Sequence, residues 1–511
     1  MNMFLTPSSI NSRASGRQLC WYVLVLFVLL SGYTMMHHEP WGDELHSWNI
    51  AKGSHSFYDL IRNTRYEGHP PGWYTVLWAI SKFSHRLIYM QLAQWILSCL
   101  VVFMMLFCSP MPLLTKMMIP FGYYFAFEYA ILSRNYVLGV LLGCCICYIM
   151  RKDFKYKQLL YYVLLCCMSN IHLLAAILAA SLHVYFLLFN MEQKNKNNTI
   201  AKHLLLGFAV LLPALYFIYP PSDGQLNMHF WMSNWSLHQI ITFGQVPLRA
   251  FIPMQAWWTD QCWNTEFLLE VKNAHPILKL LNLLISAGIL AMAAFVLKKN
   301  MKCLALFGTN LLLSFGIAVV VFPLTTARYA GFVFIGFIFS YWLYCYESPV
   351  NKINMILVNI LLSLQMLAAA FMISKDARLP FSNLYRIEHM IREVPPGGRL
   401  VTDYWTMNAM VAYTDQPAYC VDMGKDLSFI LWAGDLAVLQ KNPYRYTTGI
   451  KNLFQRENIR SVYMISAASP DALQKTDPRL SADFRLVLVD KTVGAIEKGS
   501  NLYLYQISDR L

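Results

Sequence analysis

The chain has 511 residues, of which 57% are hydrophobic and 14% charged, and its mean hydropathy is +0.40. An average soluble domain carries about 25% charged residues, so this composition excludes a soluble globular protein and, with many apolar runs near span length, indicates a polytopic helical membrane protein. The net charge of +13 does not indicate nucleic-acid binding, because Lys and Arg stand in short clusters between the apolar runs, as in cytoplasmic loops.

The first apolar run, residues 19–36, follows Arg13 and Arg17 and predicts a retained signal-anchor helix with its N-terminal end inside. The loop 37–85 is then extracytoplasmic, and within it 43–53 and 56–65 have the pattern of short interfacial helices. The apolar stretch 72–83 is too short for a span, which needs about 20 residues. It is therefore predicted to lie along the membrane surface.

Further apolar runs predict the other spans: 87–108, 113–131, 135–150, 158–190, 203–219, 276–297, 303–322, 329–346 and 353–373. The run 158–190 is too long for one helix and breaks at Ser169-Asn170-Ile171-His172. It therefore counts twice, which gives about eleven spans. In this topology every strongly basic loop, such as 151–157 and 298–302, falls on the cytoplasmic side.

The same topology places two further segments outside, the loop 220–275 and the tail from about 375. The loop is rich in tryptophan, with Trp231, Trp235, Trp257, Trp258 and Trp263. These rings form either an aromatic belt at the membrane interface or a surface that stacks on sugar rings or lipid.

The tail has the composition of a soluble domain, and the chain divides into a transmembrane domain, 1–374, and an extracytoplasmic domain, 375–511. Strand-like segments at 399–403, 461–465, 484–490 and 502–507 alternate with helix-like segments at 404–413 and 447–457, which predicts a small α/β domain. It contains no phosphate loop and no dinucleotide fingerprint, so no nucleotide cofactor is expected. We assign it support or acceptor recognition.

Most of the twelve cysteines lie within or beside apolar runs, where they act as small hydrophobic residues. Cys262 and Cys420 are the two that lie clearly outside the predicted spans. A disulfide between them is left open.

The first outer loop holds two candidate groups. Asp43, followed by Glu44, stands just past the first span, where it either activates or holds an acceptor or caps a helix. Glu67 and His69 stand two apart in the stiff turn Glu-Gly-His-Pro-Pro. They suit a divalent metal, a phosphate contact through His69, or a polar turn that starts an interfacial helix.

A second group, Glu128, Arg134 and Tyr136, brackets the outer end of two consecutive predicted spans. Ionisable residues at this depth usually face a cavity or a partner. Arg134 either holds a phosphate with two hydrogen bonds or snorkels to the interface with Glu128 as its partner.

His172, in the break of the long run, either completes a metal site, contacts a phosphate or is a hydrogen-bonded structural residue. Arg328 and Tyr329 open a late span, where Arg328 is either a second phosphate clamp or an interfacial anchor. All these candidates fall on the extracytoplasmic side, which suits a substrate with a lipid tail and a phosphate head. His37, His38, His46 and His55 show no partner pattern.

Four short motifs, taken in their order along the chain, resemble those of the GT-C superfamily. They are an Asp-Glu pair after the first span, His-Pro-Pro before Trp-Tyr, Ser-Arg-Asn-Tyr at the start of one span, and Ala-Arg-Tyr at the start of a late span. The similarity covers about residues 19–373 and is strongest to its protein O-mannosyltransferase-like and aminoarabinose-transferase-like enzymes. It implies an inverting glycosyltransferase that takes a sugar from a polyprenyl-phosphate donor to a lipid, glycan or protein acceptor, at the outer face of a membrane such as a bacterial inner membrane.

The resemblance also implies roles by position. It implies catalytic Asp43 and Glu44, donor-phosphate contacts from Arg134, Tyr136, Arg328 and Tyr329, and a divalent metal of unknown identity at Glu67, His69 and His172. Several relatives have Lys before Pro-Pro where this chain has His69, so His69 either replaces that lysine or binds metal.

The alternative function is a transporter or flippase of a lipid-linked glycan. Such a protein is expected to hold ionisable residues near the bilayer midplane and to show inverted repeats. Here the candidates gather at one face and the sequence shows no repeat, which favours the enzyme. The tail carries no motif of its own, which disfavours a scaffold whose tail does the work.

Overall fold

The structure, a computed structural model, describes residues 7–192, 197–219, 221–222, 237–268, 276–320, 324–432, 439 and 442–510. The helices before the tryptophan-rich loop 220–275 are α1 (Pro7–His37), α2 (Gly42–Gly53), α3 (Phe57–Thr64), α4 (Gly72–Ser81), α5 (Ile88–Phe107), α6 (Leu113–Met118), α7 (Tyr136–Ile149), α8 (Lys157–Ser169), α9 (Leu173–Glu192) and α10 (Asn197–Ile218). They are followed by α11 (Leu237–Gly244), α12 (Val246–Phe251), α13 (Pro276–Leu297), α14 (Met301–Val320), α15 (Ala327–Glu347) and α16 (Lys352–Asp376).

Eight of the helices in the described part of the chain are long and apolar enough to cross a membrane: α1, α5, α9, α10 and α13 to α16. The protein is therefore an integral membrane protein, but the count of about eleven spans is not confirmed. The run 113–131 is not one helix, because it forms α6, a 3-10 turn at Ile119–Phe121 and a π-helical turn at Tyr124–Glu128. Pro120 lacks the N–H that a continuing helix needs.

Two other expectations from the sequence are confirmed. The long run 158–190 divides at the predicted polar break, since α8 ends at Ser169 and α9 begins at Leu173. The first outer loop contains three short helices, α2 to α4. The last of these, α4, has 10 residues, about 15 Å, and is too short to cross the hydrocarbon core.

The tail is the small α/β domain that the sequence predicts. Its helices are α17 (Ile387–Arg392), α18 (Tyr404–Thr414), α19 (Arg445–Glu457), α20 (Pro470–Thr476) and α21 (Pro478–Asp483). Its strands are β1 (Leu400–Thr402), β2 (Ala418–Cys420), β3 (Lys425–Leu427), β4 (Ser461–Ser466), β5 (Phe484–Thr492) and β6 (Leu502–Asp509), in the sheet order β3-β2-β1-β4-β6-β5. Strand β1 pairs in parallel with β2 and β4, and β6 runs antiparallel to β4 and β5.

The two cysteines that were left open for a disulfide are both free. Cys262 is buried in the helical core, with its Sγ 3.8 Å from the Sδ of Met372. Cys420 is buried in the tail domain, among residues of α18 and β2. The two thiols belong to different cores, so the disulfide does not form.

The tail domain rests on the first outer loop. The Asn49 side chain in α2 donates a hydrogen bond to the Asn408 carbonyl at 2.7 Å, and the Lys52 ammonium lies 2.7 Å from the Asp415 carboxylate. Leu45 packs in one apolar cluster with residues of α17 and α18. The loop 37–85 and the tail therefore lie on the same side of the helical assembly.

This contact makes the predicted topology testable with single cysteine reporters. We expect Arg485→Cys, on an exposed position of β5, to react in intact cells with a thiol reagent that cannot cross the membrane. The matched variant Lys299→Cys, in the short link between α13 and α14, is expected to react after permeabilisation only. The opposite pattern would contradict the extracytoplasmic placement of both the loop and the tail.

Candidate functional site

Asp43 lies in the first turn of helix α2, but a different residue, Glu44, caps that turn. The residue before the helix is Trp41, and its N–H donates to the Glu44 carboxylate at 3.0 Å. Glu44 is fully buried, and it also accepts the Ser133 N–H and lies 3.4 Å from the His38 ring. Glu44 therefore holds the turn in place, and Asp43 is not the cap of this helix.

Asp43 points its carboxylate at two arginines from distant parts of the chain. Its Oδ2 lies 3.7 Å from Arg134 Nη2 and 3.4 Å from Arg328 Nη1, while 38% of its side chain stays exposed. Burial opposes its ionisation, but Arg134 and Arg328 outweigh that effect and hold the pKa of Asp43 below its ordinary value. The carboxylate is therefore ionised at neutral pH and accessible to solvent.

Arg134 is held by α2 as well as by the carboxylate. Its Nη1 donates to the Asp43 carbonyl at 2.7 Å and to the Ser47 hydroxyl at 2.9 Å. Its Nε finds no hydrogen-bond acceptor among the described residues. Glu128, the alternative partner, instead accepts the Tyr123 hydroxyl at 2.7 Å and the Trp263 indole N–H at 3.1 Å. The prediction that Glu128 pairs with Arg134 is therefore wrong.

Arg328 lies in an aromatic enclosure at the start of α15. Its guanidinium carbon is 4.9 Å from the Trp41 ring, 5.0 Å from the Tyr329 ring and 5.5 Å from the Trp263 ring. Within the described chain its Nε and Nη1 make no hydrogen bond. Two guanidinium groups thus face one carboxylate, so the site has surplus positive charge and unused donors, as an anion-binding site requires.

The tryptophans of the outer loop divide into two kinds. Trp263 is buried and forms part of the wall beside Arg328, whereas Trp257 and Trp258 are about half exposed. Trp231 and Trp235 lie outside the described residues. The composition of the loop gave no means of telling Trp263 from the other four.

The Glu-Gly-His-Pro-Pro turn sends its two ionisable side chains to different partners. Glu67 Oε2 lies 2.9 Å from His46 Nε2 and accepts the Tyr74 hydroxyl at 3.1 Å. Burial opposes protonation of His46, but the Glu67 carboxylate outweighs it and raises the pKa of His46. His69 remains neutral at neutral pH, because burial and the nearby Arg134 lower the pKa of His69 to about 4.

His172 has the structural role that was one of its predicted alternatives. Its Nδ1 accepts the N–H groups of Leu174 and Ala175 at 3.1 and 3.2 Å, so it caps the start of α9. The Tyr136 ring packs edge-on against it at 5.2 Å and against the Tyr329 ring at 6.4 Å. Tyr136 thus contacts both His172 and Tyr329, and the Tyr329 ring lies beside Arg328.

The described residues contain no group of three His, Cys, Asp or Glu side chains placed to hold a metal ion. His69 Nδ1, Glu67 Oε1 and His172 Nε2 are buried without a hydrogen-bond partner there, but they are not grouped as a metal site, and Glu67 Oε2 and His172 Nδ1 are committed elsewhere. These residues do not fit a metal centre as they stand. No step below runs through a metal, and the divalent metal stays a prediction.

The tail domain contributes side chains that the sequence did not indicate. Glu497 lies in the link between β5 and β6, where its N–H donates to the Phe381 carbonyl at 2.8 Å, and the Phe381 ring packs on Trp263 at 5.1 Å. Its carboxyl interacts electrostatically with Asp43 and Arg328, and burial raises the pKa of Glu497 to about 8. The pKa values of Asp43 and Glu497 therefore shift in opposite directions, and the two carboxyl groups influence each other electrostatically.

A second contribution from the tail reaches His46. The Trp432 indole nitrogen lies 3.0 Å from His46 Nε2, and the Asn408 amide lies 3.2 Å from His46 Nδ1. These contacts join residues more than 350 positions apart. The tail therefore forms one side of the candidate site.

The fold and the site together describe a membrane protein with two arginines and a carboxylate gathered where the first outer loop, two helix ends and the tail domain meet. Among solved structures, the chain is similar to ArnT from Cupriavidus metallidurans bound to undecaprenyl phosphate, with a TM-score of 0.51 and 12% identity over 94% of this chain and 97% of that one. It is also similar to the apo state of the same protein, with a TM-score of 0.46, 12% identity and the same coverage. The first similarity shows a shared fold, which agrees with the polytopic helical architecture and the small C-terminal domain expected from the sequence.

No protein-family model matches the chain, and no curated protein sequence matches it.

Proposed function

We propose that this protein is an inverting glycosyltransferase that moves a sugar from a polyprenyl-phosphate donor to an acceptor at the extracytoplasmic membrane face, in a bacterial inner membrane. The observation that supports this most directly is the pair Arg134 and Arg328, with unused donors beside one exposed carboxylate. The solved protein of the same fold binds undecaprenyl phosphate, the type of anion such a pair would hold.

In the proposed reaction a bond forms between the acceptor nucleophile and the anomeric carbon as the carbon–oxygen bond to the phosphate breaks. The polyprenyl phosphate leaves with the electron pair, and Arg328 and Arg134 stabilise its charge. The anomeric carbon passes through an oxocarbenium-like state. The ionised Asp43 carboxylate lies where it can orient the acceptor and stabilise that positive charge.

The acceptor must lose a proton, and Glu497 suits that role better than Asp43. A carboxylate held between two arginines is a weak base, whereas a carboxyl group with a pKa near 8 is matched to proton transfer near neutral pH. Carboxyl groups with pKa values driven apart commonly divide catalytic roles in this way. Glu44, buried and bound to Trp41 and Ser133, supports the position of Asp43 without reaching substrate.

The direct test uses the full chain in neutral lipid nanodiscs. We expect undecaprenyl phosphate to raise the melting temperature, and undecaprenol, which lacks the phosphate, to leave it unchanged. With a radiolabelled polyprenyl-phosphate sugar and membrane lipid extract, the label should move to an acceptor as polyprenyl phosphate is released. Label that crosses sealed vesicles without transfer would favour the transporter instead.

The proposed base predicts a particular pH dependence. Glu497 must be deprotonated to act, so the rate of the wild-type protein should rise with pH up to about 8 and level off above it. Glu497→Gln should lower kcat about 100-fold and remove this limb of the profile. The surface variant Glu393→Gln should keep both the rate and the limb.

If Glu497→Gln kept the wild-type limb with a uniformly lower rate, Glu497 would have a structural role only. The melting temperature of the variant separates that outcome from unfolding.

A further inference from the structure

A second cluster of charge lies at the far ends of the same helices. α15 carries Arg328 in its first turn and Glu347 as its last of 21 residues, which is about 31 Å of helix. The hydrocarbon core of a bilayer is about 30 Å thick. α7, with 14 residues, starts beside Arg134 and ends just before Arg151, which lies 3.2 Å from Glu347 at the end of α15. The cluster around Arg151 and Glu347 is therefore at the membrane face opposite the candidate site.

This cluster borders a cavity of about 620 Å³ between the α7–α8 link and the end of α9. That volume lies within the range of about 300–1,000 Å³ usual for ligand pockets. Three cationic side chains, Arg151, Lys152 and Lys157, line it against one acid, Asp153. The lining therefore has an excess of positive charge.

The arginine of the cavity is held in position by fixed contacts. Arg151 lies 3.2 Å from the Glu347 carboxylate, and its guanidinium carbon is 5.4 Å from the Phe189 ring and 5.7 Å from the Tyr346 ring. Glu347 is shared, since Lys302 lies 2.9 Å from it. One carboxylate between two cations leaves positive charge directed at the cavity.

Lys157 adds a second cation at the start of α8, with its Nζ donating to the Met150 carbonyl at 2.9 Å. Burial and the neighbouring Arg151 lower the pKa of Lys157, against the opposing effect of Asp153. An anion in the cavity would relieve that repulsion.

The outer surface next to the cavity is apolar. Tyr156, Leu159 and Val163 expose 62%, 64% and 48% of their area on or beside α8, and these residues would face acyl chains. A basic pocket bordered by exposed apolar surface fits an amphiphile, because its charged group and its apolar part can both make contacts there. A soluble phosphate would make no contact with the apolar border. Basic pockets on the cytoplasmic side of membrane proteins commonly take anionic lipid head groups.

We propose that this cavity binds the phosphate head group of an anionic phospholipid from the leaflet opposite the candidate site, which the basic loops predict to be the cytoplasmic one. Arg151 and Lys157 contact the phosphate, and the acyl chains lie along the exposed face of α8. The binding involves no chemistry at the lipid and does not depend on the proposed transfer reaction.

The test compares retention of phosphatidylglycerol and of phosphatidylcholine by the full chain in native mass spectrometry. The variant Arg151→Gln with Lys157→Gln should retain phosphatidylglycerol about 30-fold more weakly than wild type, as expected for two cations lost at a membrane surface. The control Lys298→Gln with Lys299→Gln removes two cations from the same face outside the cavity lining and should retain the lipid as wild type does. In this variant Glu347 still forms its ion pair with Lys302, so its carboxylate does not lose every cationic partner.

A second variant, Lys152→Gln with Lys157→Gln, leaves the Arg151–Glu347 pair intact and should also weaken retention, which guards against a folding defect in the first. Equal retention by wild type and both cavity variants would overturn the proposal. A last measurement compares the stabilisation of the protein by millimolar orthophosphate with its stabilisation by phosphatidylglycerol. If the two were equally strong, the cavity would be a site for free phosphate and the lipid assignment would be wrong.

Discussion

Asp43→Asn should lower kcat for sugar transfer about 1,000-fold while leaving donor binding intact or stronger. The substitution keeps the shape of the side chain but removes the charge that we propose to orient the acceptor and to face the oxocarbenium-like carbon, a type of interaction that commonly contributes this much. It also removes the negative charge 3.4 Å from Arg328 Nη1, which frees that guanidinium for phosphate. Transfer and undecaprenyl phosphate affinity should therefore move in opposite directions.

The matched control for this experiment is Asp59→Asn, the same change in the same outer loop. Asp59 contacts Ser56 at the start of α3. The Asp59→Asn variant should therefore transfer sugar at the wild-type rate. A variant Asp43→Asn that transfers at the wild-type rate would remove Asp43 from the mechanism. Weaker undecaprenyl phosphate binding with a lowered melting temperature would indicate instead that Asp43 holds the two arginines together structurally.

Asp43, Arg134 and Arg328 could be predicted to share a site because all three stand at ends of apolar runs on one predicted side. That argument needs the order of runs and the charge of the loops, and both are local properties of the sequence. It requires each run to cross the membrane but not to be a single helix, so the breaks within 113–131 do not by themselves overturn it.

The partners of the predicted residues could not be inferred in the same way. Glu44 stands next to Asp43 in the sequence and looks equally suited to catalysis, yet successive residues of a helix point in directions about 100° apart. Glu44 turns inward to His38 and the Ser133 N–H, and Asp43 turns to the arginines. Which of the two faced the site depended on the packing of α2.

The contribution of Glu497 could not be predicted from the sequence for a different reason. It lies in a link without secondary structure or motif, more than 400 residues after Asp43. Its place in the site depends on how the tail domain docks, through contacts such as Asn49 with Asn408 and the Glu497 N–H with Phe381. No local pattern encodes such docking, and the tail was therefore assigned a supporting role.

Arg328→Gln should weaken the binding of undecaprenyl phosphate and lower kcat/KM for the donor by about 3 kcal/mol, roughly 150-fold. Arg328 has two nitrogens without hydrogen bonds among the described residues, and three aromatic rings fix its guanidinium. In the described part of the chain, Arg328 Nε thus has no hydrogen bond and its Nη1 has only the Asp43 carboxylate at 3.4 Å, whereas Arg134 Nη1 donates to the Asp43 carbonyl and to Ser47. Loss of Arg328 should therefore affect the donor more than the fold.

Three further measurements distinguish this role from that of a membrane anchor. Arg328→Lys keeps the charge but loses the planar fork that binds two phosphate oxygens, so its affinity should fall between those of Arg328→Gln and wild type. Arg386→Gln, on the exposed surface of the tail, is the matched control and should bind as wild type does. An anchor would predict a lowered melting temperature with unchanged preference for undecaprenyl phosphate over undecaprenol, whereas a phosphate clamp predicts that this preference disappears in Arg328→Gln and persists in Asp43→Asn.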